Sequence, residues 1–359
     1  MSRVATPASR RIRLEDVARQ AGVSVATASQ ALSEKSGQYR ISTDVIERVR
    51  QTAQELDYSP NRLVRSMQGR GTHILSFFNG YRTRTPQDLY MNTLGTALER
   101  AAGRLGYDLL IHCDFSRSPQ EIYQHLNGGI ADAVLFFAPQ PDDPLLALLK
   151  NSRLKTVLIG GQVEGSLPQV VEDVEGGMQQ VAQQLLKAGH REIGVLFDDS
   201  KSPDFPQRVG FLRQELARQG VALPETCITD FAELAAHLEA KTAPTALFCP
   251  RDRLAYLLLD QCTEHGIRIP EQLSLVGYDG LPWETQSGHT VASVKVDIEA
   301  LAEAAIAQAV ALVQGESPLP QVQYLPTSFL AGTTLGAVPT GAASQHNTTP
   351  GPRYSEVNP

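Results

Sequence analysis

Two hydrophobic rhythms divide this chain. Up to residue 58 the apolar positions recur at helical spacing in short bursts: Leu14, Val17, Ala18 and Ala21, then Val45, Ile46, Val49, Ala53 and Leu56. Residues at i, i+3 and i+4 share one helix face, so each burst predicts a short amphipathic helix. From His73 the rhythm changes. Near-continuously apolar runs at Ile74–Phe78, Asp108–Ile111, Ala133–Phe137, Thr156–Ile159, Ile193–Phe197, Ala246–Cys249 and Leu273–Gly277 alternate with amphipathic runs such as Met91–Leu105, Met178–Ala188, Gln207–Gln219, Ala232–Ala240 and Leu254–His265. Strands apolar on both faces, each followed by a helix, predict parallel sheets covered on both sides, and the number of runs fits two sheets. A chain of 359 residues is too long for one core.

Local punctuation sharpens the first region. In LEDVARQAGVSVATASQAL (Leu14 to Leu32), Gly22 stands where a helix ends in a left-handed residue, and Ser24 is placed to cap the next helix. That second helix is short and lightly polar. The pattern describes a helix-turn-helix, whose second helix enters the DNA major groove, or alternatively a helical hairpin packed on a larger domain. A third helix runs from Thr43 to Leu56 with Ser42 as its cap. Then Pro60 bars helix, Asn61 can cap, and Arg62 to Gln68 can form two turns that Gly69 and Gly71 end.

Charge separates along the same line. Residues 1–72 hold 12 Lys and Arg against 7 Asp and Glu, a net +5, while the whole chain carries −7. A basic head on an acidic body suits a polyanion partner at one end. No run reaches the roughly 18 apolar residues of a membrane span, and MSRVATPASRRIR reads as a basic arm without a signal-peptide core. Cys113, Cys227, Cys249 and Cys262 show no paired spacing; they read as reduced, buried residues of a cytoplasmic, nucleoid-associated protein, with no metal and no cofactor. The G-x-S-x-G, G-x-x-x-x-G-K-[ST] and H-E-x-x-H signatures are missing, which argues against an enzyme.

Asp16-Val17-Ala18, Ala21-Gly22-Val23-Ser24, Thr27, Ser29, Leu32, Arg48-Val49, Leu56, Tyr58, Pro60-Asn61 and Arg65 together resemble the lactose-repressor (LacI/GalR) family of bacterial transcription regulators, and the resemblance continues more loosely to Gly332. It implies an all-α helix-turn-helix headpiece followed by a two-lobed, doubly wound α/β domain like periplasmic binding proteins. On that plan, 1–11 are a flexible arm, 12–58 the DNA-binding domain, 59–72 a hinge helix and linker, and 73–335 the effector-binding and dimerisation domain. Lobe 1 takes 73–169 and 297–319, lobe 2 takes 170–295 and 320–335, with crossings near Pro168–Val170, Val294–Asp297 and Pro318–Gln321. The tail, 336–359, rich in Pro, Gly, Thr, Ser and Asn, is expected to be disordered; it has no leucine heptads, so a homodimer is expected.

The resemblance places Val25, Ala26 and Gln30 against base edges. Val25 and Ala26 suit apolar contacts such as a thymine methyl, and Gln30 suits adenine, or else a phosphate or water. Ser24, Thr27 and Ser29 would position the DNA backbone, with Asn61 and Arg65 in the hinge. Met67 takes the place of the leucine that wedges open the central minor-groove step, or packs between two hinge helices.

For the effector, Asp279 in VGYDG matches the acidic residue that accepts from ligand hydroxyls, or holds a strand-end turn. Phe231 matches an aromatic platform, and Tyr81 and Tyr90 would line the first lobe. Gln207 stands where an arginine is usual, although Arg208 is adjacent, and Gly160 replaces a polar or aromatic contact. Arg251 replaces an asparagine before Asp252, and a guanidinium suits a carboxylate or phosphate. The expected function is therefore a dimeric DNA-binding regulator, most simply a repressor on a pseudo-palindromic double-stranded operator. Its effector would be a small carbohydrate-like molecule; the alternatives are a phosphorylated or acidic metabolite, a protein co-regulator, or none.

Overall fold

The computed structural model describes residues 12–33, 39–59, 71–82, 88–161, 163–197, 204–285, 287–317 and 321–338. Contacts divide the chain into two compact units, Met1–His73 and Ile74–Pro359.

The first unit contains α1 (Leu14–Ala21), α2 (Val25–Ala31) and α3 (Thr43–Glu55). The Arg13 N–H donates to Asp16 Oδ2 (3.0 Å), which satisfies one free amide at the start of α1. Gly22 ends α1 at φ 67°, and the Val23 N–H donates back to Ala18 O (3.0 Å), the closure a left-handed C-terminal residue permits. Ser24 caps α2 by accepting from the Thr27 N–H at 3.1 Å. Ser42 precedes α3 with extended backbone, but its side chain makes no cap bond. The core of this unit is Val17, Ala18, Ala21, Ala28, Ala31, Val49 and Ala53, surrounded by larger half-buried side chains such as Leu14, Ile46 and Leu56. Alanine at the α1–α2 contact lets the two short helices approach closely.

The second unit contains two sheets. One has strand order β10-β5-β4-β3-β1-β2, built from β1 (Ile74–Asn79), β2 (Asp108–Ile111), β3 (Ala133–Phe137), β4 (Thr156–Ile159), β5 (Gln169–Glu172) and β10 (Val322–Leu325). The other has order β11-β9-β8-β7-β6, built from β6 (Ile193–Val195), β7 (Ala246–Phe248), β8 (Ser274–Asp279), β9 (Ala292–Lys295) and β11 (Ser328–Leu330). Every pairing is parallel except β11 with β9. The connecting helices are α4 (Leu89–Arg104), α5 (Pro119–Leu126), α6 (Pro144–Lys150), α7 (Val174–Lys187), α8 (Asp204–Arg218), α9 (Phe231–Glu239), α10 (Asp252–Glu264) and α11 (Ile298–Gln314). Strand β3 is buried along its whole length, as a strand with both faces covered must be.

Each apolar run of the sequence becomes a strand. The structure adds β5, β9, β10 and β11, which are short and mix apolar with polar residues. They move two of the expected crossings. Because β5 belongs to the first sheet, the chain leaves it after Glu172, and because β10 pairs with β5, the last crossing falls at Pro326–Thr327 rather than at Pro318–Gln321. The first residues of the expected disordered tail are ordered: the Gly336 N–H donates to Ser274 Oγ (3.1 Å) and the Val338 N–H to Ala188 O (3.0 Å), so both are tied to the second lobe, and the rest of the tail lies outside the described residues. Of the four cysteines, Cys249 and Cys262 are buried, but Cys113 is exposed and Cys227 half-buried. Cys113 stands just past the end of β2, where the sheet no longer covers it.

Candidate functional site

Two surfaces carry the chemistry. On the head, α2 divides cleanly: Ala28 and Ala31 are fully buried, whereas Ser24, Val25, Ala26 and Gln30 are exposed and Thr27 and Ser29 half-buried. Val25, at 42% exposure, is an aliphatic side chain left in water although the unit's core lies one helix face away. The Ser24 hydroxyl lies 2.8 Å from the Thr27 hydroxyl, which fixes both at the start of the helix. The expected base-reading set, Val25, Ala26 and Gln30, thus shares one exposed surface. Asn61, Arg65 and Met67 lie outside the described residues, as does the basic arm.

In the second unit a cavity of about 100 Å³ opens between the two sheets, lined by Tyr81, Asp88, Tyr90, Met91, Phe137, Ala138, Gly160, Gly161, Glu172, Asp204, Arg208, Arg251 and Asp279. Its wall is built from strand ends. Phe137, Glu172 and Asp279 are the last residues of β3, β5 and β8, Gly160 follows β4, and Tyr81 and Arg251 lie just beyond β1 and β7. This is the carboxyl edge of both parallel sheets, where loops diverge and leave a crevice. Tyr90 stacks on Phe137 (ring centroids 5.8 Å apart, 24° between planes), and Tyr81 meets the same ring edge-on at 5.7 Å. The Tyr81 hydroxyl donates to Asp204 Oδ2 at 2.7 Å, which joins the loop after β1 to the first turn of α8 across the cleft.

Arg208 is the centre of the charged wall. It is 3% exposed; Nη1 donates to Pro250 O at 2.6 Å and lies 3.6 Å from Asp279 Oδ1, while Nη2 lies 3.5 Å from Glu172 Oε1. Its guanidinium carbon sits 3.7 Å from the Tyr278 ring centroid. Burial opposes its charge, but Asp279, Tyr278, Asp204 and Glu172 together hold the proton more firmly than usual. Burial raises the Glu172 carboxyl, which Arg208 lowers in part, and raises Asp279 further. Tyr90 is also driven well up, by burial first and by Glu172 and Asp279 next. Asp279 has a left-handed φ of 118°, a strained backbone for a non-glycine residue and one that collects at functional sites.

Asp252 serves the cleft from behind. Its Oδ1 accepts from Ser293 Oγ (2.6 Å) and its Oδ2 from the Leu281 N–H (2.7 Å), so it pins the turn that follows Asp279. Burial pushes its carboxyl up to about 7, against the hydrogen bonds from Ser293 and Leu281. His190 plays a comparable framework role, with Nδ1 2.9 Å from Thr245 Oγ1 and Nε2 3.0 Å from Gly336 O. Among the described residues no group of three or more His, Cys, Asp or Glu is placed to hold a metal ion, and no helix is long and apolar enough to cross a membrane.

Tyr81, Tyr90, Arg208, Arg251 and Asp279 therefore meet in one cavity, and two expected residues do not join them. Gln207 precedes Arg208 on α8, so the helix turns it away; it lines a neighbouring hollow with Glu175, Phe211 and Tyr324. Phe231 opens α9, where its ring packs 4.5 Å from that of His265 and against the second lobe's outer cluster. The aromatic face that does line the cavity is Tyr90 on Phe137. The sequence reading missed Glu172, Asp204, Asp88 and Phe137. Glu172 ends a strand too short and polar to be recognised, and Phe137 ends an apolar run that reads as core.

Comparison with known proteins finds a match in each unit. Residues 13–61 match the model of bacterial regulatory proteins of the lacI family, and residues 182–335 match that of the periplasmic binding protein-like domain. The HTH-type transcriptional repressor PurR of Actinobacillus pleuropneumoniae is 26% identical over 283 residues, which span 75% of this chain and 81% of PurR. The HTH-type transcriptional regulator DegA of Bacillus subtilis is 28% identical over 280 residues, 74% of this chain and 80% of DegA. Among solved structures, the lac repressor dimer bound to operator and the anti-inducer ONPF superposes with a TM-score of 0.76 at 20% identity, covering 91% of this chain and all of that one. The complex of the transcriptional regulator CelR with cellobiose superposes at 0.62 and 24% identity, over 90% of this chain and all of that one. This chain thus joins a helix-turn-helix segment of the lacI family of bacterial regulatory proteins, residues 13–61, to a periplasmic binding protein-like domain over residues 182–335, with a cavity at the strand ends of the second unit.

Proposed function

We propose that this protein is a sequence-specific repressor that binds a pseudo-palindromic operator as a homodimer and answers to a small effector held in the interlobe cavity. The observation that carries the reading is the exposed row Val25, Ala26 and Gln30 on a helix whose other face is buried alanine. Exposed aliphatic side chains beside a capping serine and a single amide are poor surface design for water and a good match for base edges in the major groove. The +5 charge of residues 1–72 supplies the phosphate attraction.

The cavity supports the regulatory half. Its polar wall comes from both sheets, so a ligand that contacts Glu172 and Asp279 together favours one spacing of the lobes. A ligand shifts such an equilibrium only by its differential affinity for the two arrangements. The Asp204 and Asp279 acceptors and the Tyr90–Phe137 face suit a hydroxyl-bearing molecule, as in carbohydrate recognition.

Selection of bound duplexes from a random pool, followed by affinity measurements with and without a library of sugars and other small metabolites, tests both halves. The expected result is a two-fold-related consensus whose affinity changes with at least one compound. No preference between selected and scrambled duplexes at physiological salt would refute the DNA reading. A consensus that no compound affects would refute the effector alone.

A further inference from the structure

We propose that the interlobe cavity selects a small ammonium-bearing ligand, an amine that also carries a neutral hydroxyl, over neutral or anionic molecules of the same size. The proposal rests on the reading of this cavity as the effector site.

Among the described residues the charges of the wall do not balance: Asp88, Glu172, Asp204 and Asp279 line it with two cations, Arg208 and Arg251. Arg251 in the sequence suggests a grip for a carboxylate or phosphate; the assembled wall makes an anion's neighbours mostly carboxylates. Arg208 is already committed to Pro250 O, Glu172, Asp279 and the Tyr278 face, so an anion would have to break those contacts to use it. Like charge at contact distance in a desolvated site is costly.

A second observation points to a donor. Glu172 is 8% exposed, and its Oε2 has no hydrogen-bond partner among the described residues. A buried acceptor left unsatisfied is costly, and a ligand N–H would satisfy it with a charge-assisted hydrogen bond. Arg208 Nε is likewise buried without a hydrogen-bond partner among the described residues, and can donate to a hydroxyl on the same molecule. The rings of Tyr90, Phe137 and Tyr81 complete the wall, and electron-rich faces beside carboxylates stabilise a desolvated ammonium.

The same geometry makes binding pH-dependent. Glu172 faces Arg208 and Asp204; Asp279 faces Arg208, Asp252, Arg251 and Glu172. Burial raises both carboxyls, and a cation favours their ionised forms, so its binding releases protons and tightens as pH rises.

Calorimetric titration of the full-length protein with trans-4-aminocyclohexanol, cyclohexane-1,4-diol and 4-hydroxycyclohexanecarboxylate at pH 6 and pH 8 tests this, because the three differ in charge and little else. The expected result is an amine bound at least about tenfold more tightly than the diol, a gap that widens at pH 8, and the carboxylate weakest. Glu172→Gln should remove most of the amine's advantage; if that variant does not fold, the wild-type comparison at the two pH values still decides. A diol or carboxylate bound as well as the amine overturns the charge selectivity and leaves the effector site standing. No binding of any of the three overturns the proposal, while the effector reading is judged separately by operator affinity across the metabolite library.

Discussion

Arg208 lies over Tyr278, its guanidinium carbon 3.7 Å from the ring centroid, and from there it faces Glu172 of the first sheet and Asp279 of the second. One buried cation on α8 thereby joins acidic strand ends that belong to different lobes. Removing a buried ion's partner is far more costly than the pair itself is worth, because the remaining charge stays desolvated. Arg208→Met, which keeps the stem and removes the charge, should lower stability by about 3–5 kcal/mol at pH 8. The loss should shrink at pH 5, because burial sets both carboxyls above their ordinary range and a protonated partner no longer needs the cation. Urea denaturation at both pH values measures this; equal losses would contradict an ionic role.

Asp252 makes the opposite use of burial. Its carboxyl, with an ordinary value of 3.8, stands at about 7 in the folded protein. An acid raised on folding holds its proton longer in the native state, so its contribution is fully present below about pH 4 and is lost as pH rises through 7. Asp252→Asn removes that titration and keeps an acceptor for the Leu281 N–H. Between pH 5 and pH 8 the variant should lose less stability than the wild type, by an amount on the order of 1 kcal/mol or more. Thermal melts across this range check it, and parallel curves for the two proteins would remove Asp252 from the explanation.

Two glycines should respond to alanine with opposite signs. Gly280, next to Asp279, has φ 71°, and an added Cβ would lie 2.5 Å from the Lys295 Cα, a backbone atom that cannot swing aside. Gly280→Ala should cost at least about 2 kcal/mol and loosen the turn that Asp252 pins. Gly103 lies near the end of α4, and an added Cβ there meets nothing within 4 Å. Gly103→Ala should be neutral or stabilising by up to about 1 kcal/mol. Denaturant midpoints of the pair check whether backbone fit governs this region.

On the head, Gln30 is exposed on α2 and Ala31 beside it is fully buried. Gln30→Ala should weaken binding to the selected operator by about 1–3 kcal/mol and leave nonspecific binding nearly unchanged. The fold should be unaffected, since the side chain supports none of the core. Equal losses on selected and scrambled duplexes would make Gln30 a backbone contact.

Much of this was legible along the chain. Leu14, Val17, Ala18 and Ala21 mark α1; Gly22 marks its end and Ser24 the next beginning, because caps and turns depend on the backbone needs of a few neighbouring residues. The runs at Ala133–Phe137 and Ser274–Asp279 announce strands because a doubly covered strand must be apolar on both faces. Family resemblance extended that reading to Val25, Ala26 and Gln30, and to Asp279, Tyr81 and Tyr90.

What the chain alone determined is local: which segments are helices and strands, and where they stop. Tertiary structure decided the rest. It joined β10 to β5 and so moved two crossings, it turned Gln207 and Phe231 out of the cavity, and it brought Glu172, Asp204 and Asp279 around Arg208. The physical reason is that helical spacing and capping act over a few residues, whereas the field inside a cavity is a sum over groups far apart in sequence. Only strand register and loop path set the distances in that sum.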